Sequence, residues 1–108
     1  MYRKPVIDTN DIFRALADPV RRDLLGDLND APKSVRALAA PRHISRPAVS
    51  RHLAVLRECG VVACRQAGKE NIYYLVPEPL REVREWLGQF WSTRLDALKT
   101  ISEGEQND

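Results

Sequence analysis

Apolar residues follow three different rhythms along this chain, and each rhythm predicts a different kind of element. From residue 12 to residue 56 they recur every three or four positions, the spacing that lines one face of a helix. Ile12, Phe13, Leu16 and Ala17 mark a first helix, which Thr9 or Asn10 can cap. Asp18-Pro19 ends it and opens a second helix, with Asp as N-cap and Pro in the first turn, where no helical N–H is lost. Val20, Leu24, Leu25 and Leu28 form its buried side until Ala31-Pro32 breaks the pattern near Asp30. Ser34 caps a short third helix with Val35, Leu38 and Ala39, and Pro41 stops it. Residues 41–44 are a turn into a fourth helix over 45–60, capped by Ser45, with Pro47 in its first turn and Gly60 at its end.

At residue 61 the rhythm changes. Val61–Arg65 reads as a strand, Gln66–Glu70 as a loop around Gly68, and Asn71–Val76 as the returning strand. Tyr73 and Leu75 fall on one face of that strand, Ile72, Tyr74 and Val76 on the other. After Pro77-Glu78-Pro79 the helical rhythm returns over 79–101, with Leu80, Val83, Leu87, Phe90, Trp91, Leu95 and Leu98 in register and Trp86 widening the stripe. The expected order is α-α-α-α-β-β-α. That is a mainly α domain over 9–101 with a small β-hairpin, an N-terminal arm at 1–8 and a disordered acidic tail at 102–108.

The third and fourth helices, joined by a short turn, form a helix-turn-helix, and the hairpin after them occupies the place of a wing. On the fourth helix Val49, Leu53 and Leu56 make an apolar back, while Arg46, Ser50 and Arg51 lie on the polar front. Such a helix suits the major groove, where a guanidinium can bond both O6 and N7 of guanine. Arg46 and Arg51 are the candidate guanine readers, Pro47 a thymine-methyl contact, Ser50 a base or phosphate contact, and His52 a secondary contact. Arg42, Ser45, Arg65 and Lys69 are the candidates for phosphates and the wing, with Arg36 a weaker one. An ordinary amphipathic surface helix shares the same apolar spacing, so charge is needed to separate the two readings.

Net charge is only +2, but it is unevenly distributed. Residues 33–69 carry eight basic residues and one acidic residue, net +7, between flanks of −1 and −4. A basic block around the reading helix favours a polyanion and salt-sensitive binding. The late aromatic stripe exceeds what a small core requires. Phe13, Trp86, Phe90, Trp91, Leu95 and Leu98 are therefore expected to form a homodimer interface through the first and last helices.

The 108 residues, 44% hydrophobic and 30% charged, suit one soluble domain. No apolar run approaches the roughly 20 residues that span a bilayer, and Met1–Pro5 lacks a signal-peptide core, so a cytoplasmic location is expected. Glycine-rich phosphate loops, nucleophile elbows and plausible catalytic triads are missing, so an enzyme is not expected. Only two histidines are present, His43 and His52. With Cys59 and Cys64 they give no convergent set of four metal ligands, and neither a metal nor a cofactor is expected.

Residues 12–22, Ile-Phe-Arg-Ala-Leu-Ala-Asp-Pro-Val-Arg-Arg, resemble the opening signature of ArsR-family winged-helix repressors. Ser45–Leu53 with Leu56 and Gly60-Val61-Val62 resembles their recognition helix and first wing strand, and Gly68-Lys69-Glu70 with Tyr73-Tyr74-Leu75 their wing. The resemblance spans about residues 10–100. It implies a homodimeric transcriptional regulator, usually a repressor, on an inverted repeat in double-stranded DNA near its own promoter. The metal-binding signatures of the family are missing, and Phe90-Trp91 with Arg94-Leu95 is similar to the branch without a recognised metal site. Three alternatives stay open: a metal- or thiol-responsive repressor of the same fold, an unidentified small-molecule or protein effector, and a protein-interaction winged helix that leaves DNA alone.

Overall fold

The computed structural model describes residues 8–106, except the side chains at 92–93, 95–97, 99–100 and 102–106. The elements are α1 (Thr9–Leu16), α2 (Pro19–Asp30), β1 (Lys33–Ser34), α3 (Val35–Ala39), α4 (Arg46–Glu58), β2 (Val62–Ala67), β3 (Glu70–Leu75) and α5 (Leu80–Gln106).

The predicted caps hold at three of four helix starts. Asp18 accepts from the amides of Val20 and Arg21, Ser34 from Ala37, and Ser45 from Ala48. Each satisfies a donor that the first turn leaves unpaired. The first helix differs: Asp8, not Thr9 or Asn10, is its cap and accepts from the Asn10 amide. Thr9 instead donates its hydroxyl proton to the Glu82 carboxylate, tying α1 to α5. Gly60 follows α4 with φ 79°, a left-handed turn that costs glycine little.

Ile12, Leu24, Leu38, Val49, Leu53, Leu56 and Val61 are the fully buried centre, drawn from all four early helices and the start of the wing. Burying each large side chain contributes about 1.5–3 kcal/mol. Val49, Leu53 and Leu56 are each 0% exposed, so the back of α4 is locked and its rotation about its own axis is set.

Three further differences from the sequence reading matter. A two-residue strand, β1, pairs antiparallel with β3 (Lys33↔Tyr73, Ser34↔Ile72), giving a three-stranded sheet in the order β1-β3-β2. Two residues carry no periodicity, so this strand has no signal in the pattern. The wing is also tighter than the five-residue loop expected. The strands pair up to Ala67↔Glu70, leaving Gly68-Lys69 as a two-residue turn with Gly68 at φ 62°. Glycine at the first central position is the II′ pattern, whose twist matches the strands it joins. At the other end, α5 does not stop at Ile101 but continues through Gln106, so most of the segment expected as a disordered tail is helical. The N-terminal arm up to residue 7 lies outside the described residues.

Candidate nucleic-acid interface

Because the back of α4 is locked, its front is fixed. Arg46, Pro47, Ser50 and Arg51 are all exposed. Among the described residues, Arg46 and Arg51 make no hydrogen bond or ion pair, so both guanidinium groups keep all their donors for an incoming partner. Ser45 lies at the head of the same face. Its oxygen is engaged with the Ala48 amide at 3.3 Å, leaving the hydroxyl proton to donate.

Two candidates named from sequence are engaged elsewhere. The Arg42 side chain is only 10% exposed and is held by Asp27 at 2.8 Å and Asp23 at 3.0 Å. It also donates to the Leu38 carbonyl at 2.5 Å. It therefore pins the turn between α3 and α4 onto α2. The missed signal is the i, i+4 pair Asp23/Asp27, which presents two carboxylates on one helix face. His52 is half-buried and turned away from the reading front, with Nδ1 3.4 Å from the Arg21 guanidinium. Arg21 also donates to the carbonyls of Ala15 (2.7 Å) and Arg14 (3.1 Å), so it joins the end of α1 to the flank of α4. Beneath it, burial pushes the Asp18 carboxyl up. The Arg21 and Val20 amides and the His52 and Arg21 charges outweigh that and hold it below its ordinary value.

The wing divides its two candidates. Lys69 is in the turn, exposed, with no partner among the described residues. Arg65 is not at the tip. It pairs with Ile72 on the third rung below the turn and lines a groove of about 640 Å³ with Tyr74, Pro32 and Pro77. Arg36, at the start of α3, reaches across to Glu70 at the wing, 3.1 Å away. The +7 block thus contains cations already matched by carboxylates, Arg42 and Arg36, and cations that are not among the described residues: Arg46, Arg51 and Arg57 on α4, and Arg65 and Lys69 on the wing.

The late aromatic stripe forms a second surface. Trp86 sits edge-on between Phe13 (ring centroids 5.4 Å apart) and Phe90 (4.9 Å). Trp86, Phe90, Trp91 and Leu98 nevertheless remain 49–61% exposed. Phe13 is partly buried, and the Leu95 side chain lies outside the described residues.

Among the described residues, His, Cys, Asp and Glu side chains form no cluster of three or more able to hold a metal ion. Cys59 is buried with its thiol donating to the Leu56 carbonyl at 3.4 Å, and burial pushes its pKa up, away from thiolate chemistry. Cys64 is half-buried in β2. Among the described residues no helix is long and apolar enough to cross a membrane.

Comparison with known proteins agrees with this geometry. Residues 18–63 match the family model described as bacterial regulatory protein, arsR family. The HTH-type transcriptional regulator Rv2034 of Mycobacterium tuberculosis is 36% identical over 107 residues, covering 99% of this chain and 96% of the relative. The transcriptional repressor SdpR of Bacillus subtilis is 30% identical over 81 residues, covering 75% of this chain and 90% of the relative. Among solved structures, an ArsR-like transcriptional regulator from Rhodococcus sp. RHA1 superimposes with a TM-score of 0.69 at 34% identity, covering 88% of this chain and 90% of that one. A family-model match over the helix-turn-helix and a relative aligned along nearly the whole chain lead to one conclusion: this protein belongs to the arsR family of bacterial regulatory proteins and has their winged helix-turn-helix fold.

Proposed function

We propose that two copies of this chain bind one DNA operator in the cytoplasm and regulate transcription from it, as a repressor. The observation that carries this reading is the two-sidedness of α4. Its back is fully buried, and its front offers Arg46, Pro47, Ser50 and Arg51 unobstructed. In a major groove Arg46 and Arg51 read guanine edges, Pro47 lies against a thymine methyl, and Ser50 bonds a base or a phosphate. Lys69, at the tip of the wing, meets the backbone and sets the register.

The exposed stripe of Trp86, Phe90, Trp91 and Leu98 pairs with its counterpart on a second copy, because aromatic area of this kind is costly to leave in water. Two-fold symmetry then presents two α4 helices to half-sites about one helical turn, or ~34 Å, apart. Occupancy of such a site over a promoter blocks polymerase, in keeping with the repressor named among the relatives.

Fluorescence anisotropy of the purified protein tests this, against its own upstream DNA and a scrambled duplex between about 50 and 200 mM salt. The expected result is tight, salt-steep binding that prefers the upstream fragment. Absence of binding to either duplex at the lowest salt overturns the reading and leaves a winged helix for protein contacts.

A further inference from the structure

Between the base of the wing and the head of α4 lies a small cleft of about 190 Å³, lined by Ser34, Val35, Arg36, Arg46, Glu70 and Asn71. Its position beside Arg46, at the head of the reading helix, and the Arg36 guanidinium in its wall suit a backbone phosphate. A carboxylate already faces that guanidinium: Glu70 Oε1 is 3.1 Å from Arg36 Nη2. We propose that this cleft is a phosphate seat whose Arg36 is held by Glu70 until a DNA phosphate takes its place, which makes Glu70 a built-in brake on DNA affinity. The inference rests on the DNA-binding reading above.

The physical argument is one of exchange. The two side chains are 66% and 45% exposed, and an ion pair that open to water is weak enough to be swapped for a phosphate. Glu70 opposes DNA in two ways. It neutralises Arg36 in the free protein, so docking a phosphate there replaces one anion by another instead of releasing condensed counterions. Once displaced, it leaves a negative charge beside the duplex backbone, which repels. Both effects act on every DNA sequence, while the base contacts of Arg46 and Arg51 reward only the right one. A general penalty of this kind lowers affinity for every duplex alike and leaves the ratio between operator and random DNA to the reading helix. Glu70 stands at the boundary of the basic block, which holds only one carboxylate of its own, Glu58.

The test is a double-mutant cycle of Glu70→Gln and Arg36→Gln, read by anisotropy on a scrambled duplex from about 50 to 200 mM salt, with thermal melts confirming that each variant is folded. Glu70→Gln is expected to tighten binding to the scrambled duplex about three- to tenfold and to steepen the salt slope by about 0.9, the signature of one added phosphate contact. In the Arg36→Gln background the same change is expected to keep less than half of that effect. Unchanged affinity and slope for Glu70→Gln overturn the proposal. So does an equal gain in both backgrounds, which reduces Glu70 to a general charge acting without Arg36. If the parent protein binds neither the scrambled nor the upstream duplex, the DNA-binding reading itself fails. Parent binding with an unresponsive Glu70 removes only this inference.

Discussion

Arg42 and Arg51 are the same amino acid nine positions apart, and the fold gives them opposite tasks. Arg42 is nine-tenths buried between two carboxylates and a carbonyl, while Arg51 stands exposed with every donor unused. Arg42→Met is therefore expected to lower stability by about 2 kcal/mol, because Asp23 and Asp27 lose their cation. The cost sits below that of a fully buried pair, since Asp23 remains 72% exposed. The folded variant should keep the parent's salt slope on DNA. Arg51→Ala is expected to do the reverse. Its urea midpoint stays within error, operator affinity falls by about 1–3 kcal/mol, and discrimination is lost at one base pair. A midpoint and a binding isotherm for each variant check both halves. Asp18 adds a pH dependence at the same scale. Its folded pKa lies below the ordinary 3.8, so its stabilisation is complete above that value and fades as pH falls through the lower folded one. Asp18→Asn can still cap α2 but cannot titrate. The stability gap between parent and variant at pH 7 should narrow as pH drops below 3.8; urea midpoints across that range measure it.

At the scale of elements, the wing depends on β1. Lys33 and Ser34 pair with Tyr73 and Ile72, so β3 is flanked on both sides and the Ala67–Glu70 turn projects from a fixed base. Ser34 both closes this strand and caps α3, so the same residue sets the start of the helix-turn-helix and the root of the wing. This placement leaves Lys69 as the wing's leading cation and moves Arg65 down to the third rung. Lys69→Gln is expected to weaken operator and scrambled DNA alike and to reduce the salt slope by about one. Arg65→Gln should change the slope by much less, and titrations of the two variants in parallel over the same salt range decide between them. The α4 front, the caps of α2, α3 and α4 and the alternation in β3 were legible in the sequence, because each is a local pattern of a few residues. β1 was not legible, nor was the tight turn. A two-residue strand exists only through its partner, and pairing up to Ala67↔Glu70 is settled by cross-strand register.

For the whole molecule, the long α5 is the unresolved half of the packing. Leu80 and Val83 meet the core, and Trp86 meets Phe13, but Trp91, Leu98 and Ile101 remain about 60% exposed. A 27-residue helix is about 40 Å long, far more than this core can cover. A second copy supplies the missing surface in the proposed dimer. Trp91→Glu, which removes no residue from the buried cluster, is expected to turn the dimer into a folded monomer in sedimentation and to abolish operator binding, while the far-ultraviolet circular dichroism stays that of the parent. A dimer that persists in Trp91→Glu places the interface elsewhere.

Helical periodicity, capping residues, the Asp18-Pro19 and Pro41 breaks and the resemblance along residues 10–100 were enough to determine the element types, the winged helix-turn-helix order and the front of α4. These are short-range properties, set by which side of one helix or strand a residue falls on. Which cations remain available was decided only by tertiary structure. Arg42, Arg36 and Arg51 look alike in the basic block, and a sequence counts their charges without showing their partners. Asp23, Asp27 and Glu70 lie between 15 and 34 residues away from the arginines they hold, and Arg21 reaches His52 across 31 positions. Charge is a property of the residue, but whether it is already matched depends on what the fold brings within about 4 Å of it.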